Sequence, residues 1–179
     1  MPDITKHESL LRDLSTGTYP VLGIGINGQQ VTPGTKISKR DTRAPPSLSA
    51  PCTLASSGST GKYTVISIDL DAPFISWNVL SPIVHSIQTD LQIDKSSGEL
   101  KGDEDALVPW LPAGPPPAAA PHRYIFILYA QKPDTKIPEE VKRKWRSAGI
   151  LQRMRFDLDR MVSELGLDEV LGVNYFVSN

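Results

Sequence analysis

Residues 123–131 read RYIFILYAQ, in which the unbroken run of apolar and aromatic side chains at 124–130 predicts a buried β-strand. Such a strand needs hydrogen-bonding partners, and the best match is YTVISIDL at residues 63–70. The Pro-rich segment LPAGPPPAAAP (111–121) resembles a linker in composition. Because the strongest strand follows at once and needs partners from the first half of the chain, we expect this segment to be an ordered loop within one fold.

The remaining elements place strands through most of the chain and helices at its two ends. Thr5 and Glu8 form a capping box that predicts a short N-terminal helix. Two later segments, 138–146 and 156–165, have helical periodicity and are expected to be helices. The other predicted strands lie within residues 19–51, at 85–93 and at 173–177. Strands paired in an antiparallel manner with helices gathered late predict an α+β fold that is mostly β.

Composition limits the possible classes of protein. The chain has 179 residues, 39% of them hydrophobic, which is suited to a single domain over 1–179. Its 19 basic and 20 acidic residues give a net charge of -1, so no nucleic-acid partner is expected. The single cysteine, Cys52, excludes an internal disulfide and a thiolate metal cluster. The longest apolar run, at 124–130, is too short for a transmembrane segment, and the N-terminus lacks signal-peptide features; we expect a cytoplasmic protein.

Candidate functional residues cluster at the edges of the two strongest strands. Asp69 and Asp71 end the strand at 63–70, and their spacing of two predicts that they share a face. His122 and Tyr124 begin the strand at 123–131 and share a face, with Arg123 on the other. Each pair taken alone is also compatible with a structural role, since an Asp at a strand end caps turns and a strand-edge His often forms a packing hydrogen bond.

Taken together and in order, the motifs resemble the phosphatidylethanolamine-binding protein (PEBP) family. That family has a D-P-D-A-P strand end, a later histidine, and G-P-P followed by H-R-Y. The corresponding residues here are Asp69-Leu70-Asp71-Ala72-Pro73, His85, Gly114-Pro115-Pro116 and His122-Arg123-Tyr124. Arg153 and Phe156 resemble the family's R-x-x-F, and residues 174–176 resemble its closing strand.

The resemblance implies a large central antiparallel sheet, a second small sheet and peripheral N- and C-terminal helices. It also implies a small pocket that accepts phosphate, phospholipid head groups or acetate-like anions. Carried over by residue, the groups expected to face a ligand are Asp69, His85, His122 and Tyr124. Asp71 and Arg123 are expected to support the site, and Gly114, Pro115 and Pro116 to form one wall.

Several departures from the family pattern indicate a rebuilt pocket rim. Leu70 replaces the D-P-D proline, and Ser86 stands where an aromatic residue usually follows the pocket histidine. The segment FISWNVLSPIV (74–84) is apolar, and we expect Trp77 and Trp110 to replace the missing aromatic wall. These differences favour a less polar organic ligand bearing a carboxylate or similar acidic group.

Functions of different classes remain open at this point. The resemblance implies a binder of a small anionic ligand or phospholipid head group, or an inhibitor of a protease or kinase through protein contact. It also allows a cofactor-independent enzyme of secondary metabolism, similar to fungal relatives in maleidride-type pathways, that takes part in dimerising cyclisation of maleic-anhydride-type acids. In that case His85 or His122 is the general base, and Tyr124 or the other histidine stabilises a developing enolate or carboxylate.

A metal hydrolase is the third alternative. Two carboxylates and two histidines are suitable ligands for zinc or iron, but no H-x-x-x-H or C-x-x-C spacing occurs. We therefore expect neither a metal nor another cofactor.

Overall fold

Two β-sheets form the centre of the computed structural model, which describes residues 5–58, 60–132 and 134–179. The strands in these residues are β1 (Gly23–Ile26), β2 (Gln29–Gln30), β3 (Thr35–Lys36), β4 (Ser47–Ser49), β5 (Lys62–Asp69), β6 (Ile83–Ile93), β7 (Leu100–Lys101), β8 (His122–Gln131) and β9 (Leu167–Ser178). The large sheet has the order β3-β9-β8-β5-β6-β7, and the small sheet the order β2-β1-β4. Only the pairing of β3 with β9 is parallel among these strands. The predicted α+β, mostly β class is confirmed.

Five helices lie in the described residues, at the periphery of the sheets: α1 (Thr5–Ser15), α2 (Cys52–Ser56), α3 (Glu139–Arg146), α4 (Ile150–Arg153) and α5 (Leu158–Glu164). The sequence predicted α1, α3 and α5. It missed α2 and α4 because four or five residues are too few to show helical periodicity. It also placed the start of the last strand six residues late, since β9 opens with the exposed polar pair Asp168 and Glu169.

Strand β8 is the axis of the large sheet, with β5 on one side and β9 on the other. Its side chains alternate between two apolar clusters. Ile125 and Ile127 pack with the helices, whereas Phe126 and Leu128 pack with residues of the small sheet. The β5–β8 register places Asp69 opposite Tyr124, so the carboxyl end of β5 lies beside the start of β8. This register brings the candidate residues of the two strands together.

The Pro-rich segment 111–121 is tied to the rest of the fold by backbone hydrogen bonds. The Leu111 amide donates to the His85 carbonyl at 2.8 Å, and the Ala113 amide donates to the Thr42 hydroxyl at 3.0 Å. The segment therefore crosses the end of β6 and reaches the connection between the two sheets. No helix in the described parts of the chain is long and apolar enough to cross a membrane.

Candidate functional site

A cavity of about 290 Å³ lies where β5, β6 and β8 meet the Pro-rich segment and α4. Three polar side chains line it, those of Asp69, His85 and His122. The other lining residues are apolar or glycine: Ala72, Pro73, Leu80, Ile83, Leu111, Pro112, Gly114, Pro116, Ile150 and Met154. The cavity thus combines a small ionisable cluster with apolar walls, a combination typical of sites that bind small molecules.

Asp69 is fixed by the turn that ends β5. One carboxylate oxygen accepts the backbone amide of Asp71 at 2.8 Å, and the other lies 2.8 Å from Nδ1 of His122. Both Asp69 and His122 are almost fully buried. The carboxylate is therefore committed to these two donors, and its negative charge stands next to the imidazole.

His122 has an acceptor at each ring nitrogen. Nδ1 faces Asp69, and Nε2 lies 3.2 Å from the carbonyl oxygen of Pro73. Only the doubly protonated ring can donate to both acceptors. Burial lowers the pKa of His122, but the hydrogen bond and charge of Asp69, with the charge of Asp71, outweigh burial and raise that pKa above 6.5. The geometry and the pKa shift both favour an imidazolium.

His85 is in the opposite electrostatic situation. Its Nδ1–H donates to the carbonyl of Leu111 at 2.6 Å, and Nε2 makes no hydrogen bond to the described residues. Burial lowers the pKa of His85. The charge of Asp69 and the hydrogen bond to Leu111 raise that pKa, but burial, with the positive charges of Arg153 and His122, outweighs them. At neutral pH this ring is a neutral imidazole whose Nε2 lone pair is left for a ligand in the cavity it lines.

Tyr124 lies behind the cavity and is not one of its lining residues. Its ring is 1% exposed and contacts His85 at a centroid distance of 5.0 Å and His122 at 6.4 Å. Its hydroxyl is buried and has no hydrogen bond of good geometry to any residue that the structure describes. Burial raises the pKa of Tyr124, as do the charges of Asp69 and Asp71, so the phenol is neutral. The Tyr124 ring therefore packs against both histidine rings from behind the cavity. The ligand contact predicted for Tyr124 stays a prediction.

Asp71 and Arg123 form the ion pair that supports the turn after β5. Asp71 is fully buried and accepts from the backbone amide, Nε and one terminal nitrogen of Arg123 at 2.8, 2.9 and 2.6 Å. Asp71 raises the pKa of Arg123, which also contacts Glu8 of α1 at 3.2 Å. Asp69 and Asp71 thus have different partners, His122 and Arg123, because β5 ends at Asp69 and strand alternation does not extend to Asp71.

The predicted wall is only partly at the cavity. Gly114 and Pro116 line it, whereas Pro115 is buried outside the lining. Trp110 stands beside His85 at a centroid distance of 6.0 Å, with its indole N–H donating to the Thr42 carbonyl at 2.7 Å. It therefore packs next to a lining residue instead of lining the cavity.

The other predicted aromatic residue lies outside the cavity. Trp77 is 56% exposed and is not a lining residue. At the position after the pocket histidine, the Ser86 hydroxyl is paired with that of Ser67 at 2.9 Å, so the missing aromatic ring is replaced by a buried polar contact between β6 and β5.

Sequence reasoning missed the contribution of α4 to the site. Ile150 and Met154 line the cavity from this helix and its end, and Arg153 is buried beneath it. Arg153 donates to the carbonyls of His85, Pro109 and Ala148 at 3.2, 2.8 and 3.1 Å. The R-x-x-F pattern marked this arginine, but it did not reveal that the side chain joins α4 to the strand carrying His85.

Comparison with known proteins identifies the family. The family model for phosphatidylethanolamine-binding protein matches residues 27–176. The chain belongs to this family. A curated relative, phomoidride biosynthesis cluster protein N from Talaromyces stipitatus, is 31% identical over 122 residues, which are 67% of this chain and 60% of that protein. The match therefore spans less than two thirds of the relative's own length.

Solved structures agree with the PEBP fold of this chain. A carboxypeptidase Y inhibitor, solved in complex with its cognate proteinase, has a TM-score of 0.68 at 20% identity. The alignment covers 98% of this chain and 92% of the inhibitor chain. The phosphatidylethanolamine-binding protein from Plasmodium vivax has a TM-score of 0.62 at 16% identity and covers 94% and 96%. At these identities the likeness shows the fold alone.

Metal binding has no geometric support in the part of the chain that is described. No group of three or more His, Cys, Asp or Glu residues there has the arrangement of a metal site. In this PEBP chain the first carboxylate is engaged by His122 and the second by Arg123, at 2.8 Å and 2.6 Å.

Proposed function

We propose that this PEBP chain binds a small organic acid in the cavity and transfers a proton from it, as a cofactor-independent enzyme of small-molecule biosynthesis. The observation that carries the proposal is the difference between the two cavity histidines. His122 has acceptors at both nitrogens and a raised pKa, whereas His85 has a lowered pKa and an uncommitted Nε2. Environments that push two pKa values apart are typical of acid–base pairs.

Each histidine has a distinct role in this proposal. The His122 imidazolium supplies positive charge beside the cavity, which attracts a carboxylate and offsets the nearby charge of Asp69. The Nε2 lone pair of neutral His85 accepts a proton from a carbon adjacent to the acid's conjugated carbonyl system. The electron pair of the broken C–H bond moves into that system, and the oxyanion that forms is stabilised by His122.

The apolar walls favour an organic acid over a bare phosphate. Ten of the thirteen lining residues have no ionisable side chain, and most of them are aliphatic or proline. The relative named for a phomoidride biosynthesis cluster also supports a small-molecule pathway. Proton abstraction of this kind would initiate the dimerising cyclisation of maleic-anhydride-type acids, and we propose this as the specific reaction.

Binding without turnover is the second candidate function. Its supporting observation is that Asp69 holds His122 as a buried imidazolium, whose positive charge can attract an anion without any proton transfer. Under this alternative the ligand is a phospholipid head group or another small anion. For an inhibitory contact with a protease, the only support is the likeness of fold to the carboxypeptidase Y inhibitor.

A solvent-exchange experiment distinguishes these candidates. Methylmaleate, methylsuccinate, phosphate and phosphorylethanolamine are titrated by calorimetry, and exchange of the methylmaleate methyl protons into D₂O is followed by ¹H NMR. We expect both organic diacids to bind, and we expect exchange to be catalysed by the wild type and reduced by at least about 100-fold in His85→Asn. The asparagine can still donate to Leu111 but has no base at the position of Nε2.

The outcomes separate binding from chemistry. If His85→Asn still binds methylmaleate within a fewfold of the wild type, the loss of exchange is a loss of the base. Binding with no exchange in the wild type would contradict the enzyme and leave the binder. Tighter binding of phosphorylethanolamine than of either organic diacid would contradict the organic-acid ligand.

A further inference from the structure

Large apolar side chains that are exposed to solvent concentrate beside the cavity. The described residues contain six of them, and five fall in two short segments: Phe74, Ile75 and Trp77 in the β5–β6 loop, and Ile150 and Leu151 in α4. We call these five residues the apolar rim. Leu151 is 80% exposed and Trp77 is 56% exposed, although burying either would be favourable. Contiguous exposed apolar surface of this kind marks an interaction site.

The rim is continuous with the cavity on both sides. Ala72 and Pro73 line the cavity immediately before Phe74, and Ile150 is at once a lining residue and 46% exposed. The two segments are also held to each other. The Arg155 amide donates to the Leu80 carbonyl at 2.9 Å, and its Nε donates to the Val79 carbonyl at 3.0 Å. Each segment of the rim is therefore attached directly to a wall of the cavity.

We propose that the rim binds an aliphatic chain carried by the organic acid, so that the acid group sits beside His85 and His122 while the chain leaves the cavity across the rim. This inference rests on the proposed function and adds the substrate class, an acid with an extended alkyl substituent. A cavity of about 290 Å³ is at the small end of the range for ligand pockets, so it holds the acid group and only part of a long chain. The rest of a longer chain must leave the cavity, and the rim is the adjoining apolar surface.

A chain-length series tests the proposal. Alkylsuccinates with substituents from methyl to octyl are titrated into the wild-type chain by calorimetry. We expect affinity to rise between about twofold and fourfold per added methylene once the chain reaches the rim, the upper value corresponding to full burial. Fluorescence of Trp77 should shift to shorter wavelength with octylsuccinate but not with methylsuccinate, and the shift should be absent in Trp77→Phe.

Two exposed positions provide the variants, and a third provides a matched control. Leu151→Ser and Trp77→Ser should reduce the gain from longer chains and leave methylsuccinate affinity unchanged. Val21→Ser removes the sixth exposed apolar side chain, which is 47% exposed and whose backbone bridges to Val173. Val173 pairs with Ile127, five residues or about 16 Å along β8 from His122, so the full chain-length dependence should persist in this control.

Two results of the chain-length series overturn the inference. In the first, the affinity of the wild type does not depend on chain length. In the second, Leu151→Ser and Trp77→Ser keep the same chain-length dependence as the wild type. Failure of methylsuccinate to bind the wild type overturns the proposed function itself. A flat series accompanied by sedimentation with phosphatidylcholine vesicles, or by a concentration-dependent dimer lost in Leu151→Ser, assigns the rim to a membrane or a second copy and also overturns it.

Discussion

Asp69 and His122, the last residue of β5 and the first residue of β8, are joined by a hydrogen bond of 2.8 Å. The two residues are 53 positions apart in the chain, and the antiparallel register of β5 and β8 brings them together. Because the bond is buried and His122 has a second acceptor in Pro73, the His122 ring is held as an imidazolium in an ion pair beside the cavity.

The charge on Asp69 should control the protonation of His122. In Asp69→Asn the pKa of His122 should fall, because the charge that raises it is gone and burial still favours the neutral ring. The measurement is a ¹H NMR titration of the His122 Cε1 proton in both proteins. An unchanged or higher pKa in the variant would mean that another group holds the charge.

The same ion pair should make stability depend on pH. Since folding raises the pKa of His122, its stabilising effect is complete below the unfolded value of about 6.5 and is lost as pH rises through the folded value. The difference in free energy of unfolding between wild type and His122→Asn, measured in urea, should therefore shrink from pH 6 to pH 9. A difference that grows with pH would contradict the imidazolium.

Arg153 should stabilise the fold and also lower the pKa of His85. In Arg153→Met three buried backbone carbonyls lose a charged donor, and we expect a loss of about 2–4 kcal/mol in urea unfolding. Removal of the positive charge should also raise the pKa of His85, as measured by NMR titration. Arg160→Gln, which breaks an exposed pair with Glu164, is the control and should leave stability nearly unchanged. An unchanged pKa of His85 would reduce Arg153 to a purely structural residue.

Asp71 should be important for stability, and Glu8 should not. Asp71 is fully buried and accepts three hydrogen bonds from Arg123, so Asp71→Asn should cost about 3 kcal/mol. Glu8→Gln removes the exposed contact to the same arginine and should cost less than about 1 kcal/mol. Urea unfolding at pH 7 measures both, and equal costs would contradict the division of roles.

The Ser67–Ser86 contact should be strongly coupled. Ser67→Ala leaves the buried Ser86 hydroxyl without its partner and should cost about 1–3 kcal/mol. The double variant Ser67→Ala/Ser86→Ala should cost less than the sum of the two single variants, because neither hydroxyl is then left unpaired. Additive costs in a double-mutant cycle would show that water satisfies each hydroxyl separately.

The main strands of the large sheet could be predicted from the sequence for a physical reason. Strands 63–70 and 123–131 are rich in apolar and β-branched residues, and the ionisable residues at their ends stand out against that background. The wall formed by α4 could not be predicted, since a four-residue helix has no periodic signal and its position depends on the buried bonds of Arg153.

The different states of the two histidines were likewise outside the reach of sequence. They depend on which backbone carbonyls fold back onto each ring, that of Leu111 for His85 and that of Pro73 for His122. The placement of Trp77 also depends on the path of the β5–β6 loop, in which the ring is exposed beside the cavity and not part of its wall.

The protonation states of His85 and His122 are the central claim, and ¹H–¹⁵N NMR of the histidine rings between pH 5 and 9 tests them most directly. At pH 6.5 we predict that His122 is mostly protonated at both nitrogens and that His85 is neutral with its proton on Nδ1. His7→Asn, His85→Asn and His122→Asn provide the assignments. Two rings that titrate together near 6.5, or a His85 proton found on Nε2, would contradict the account.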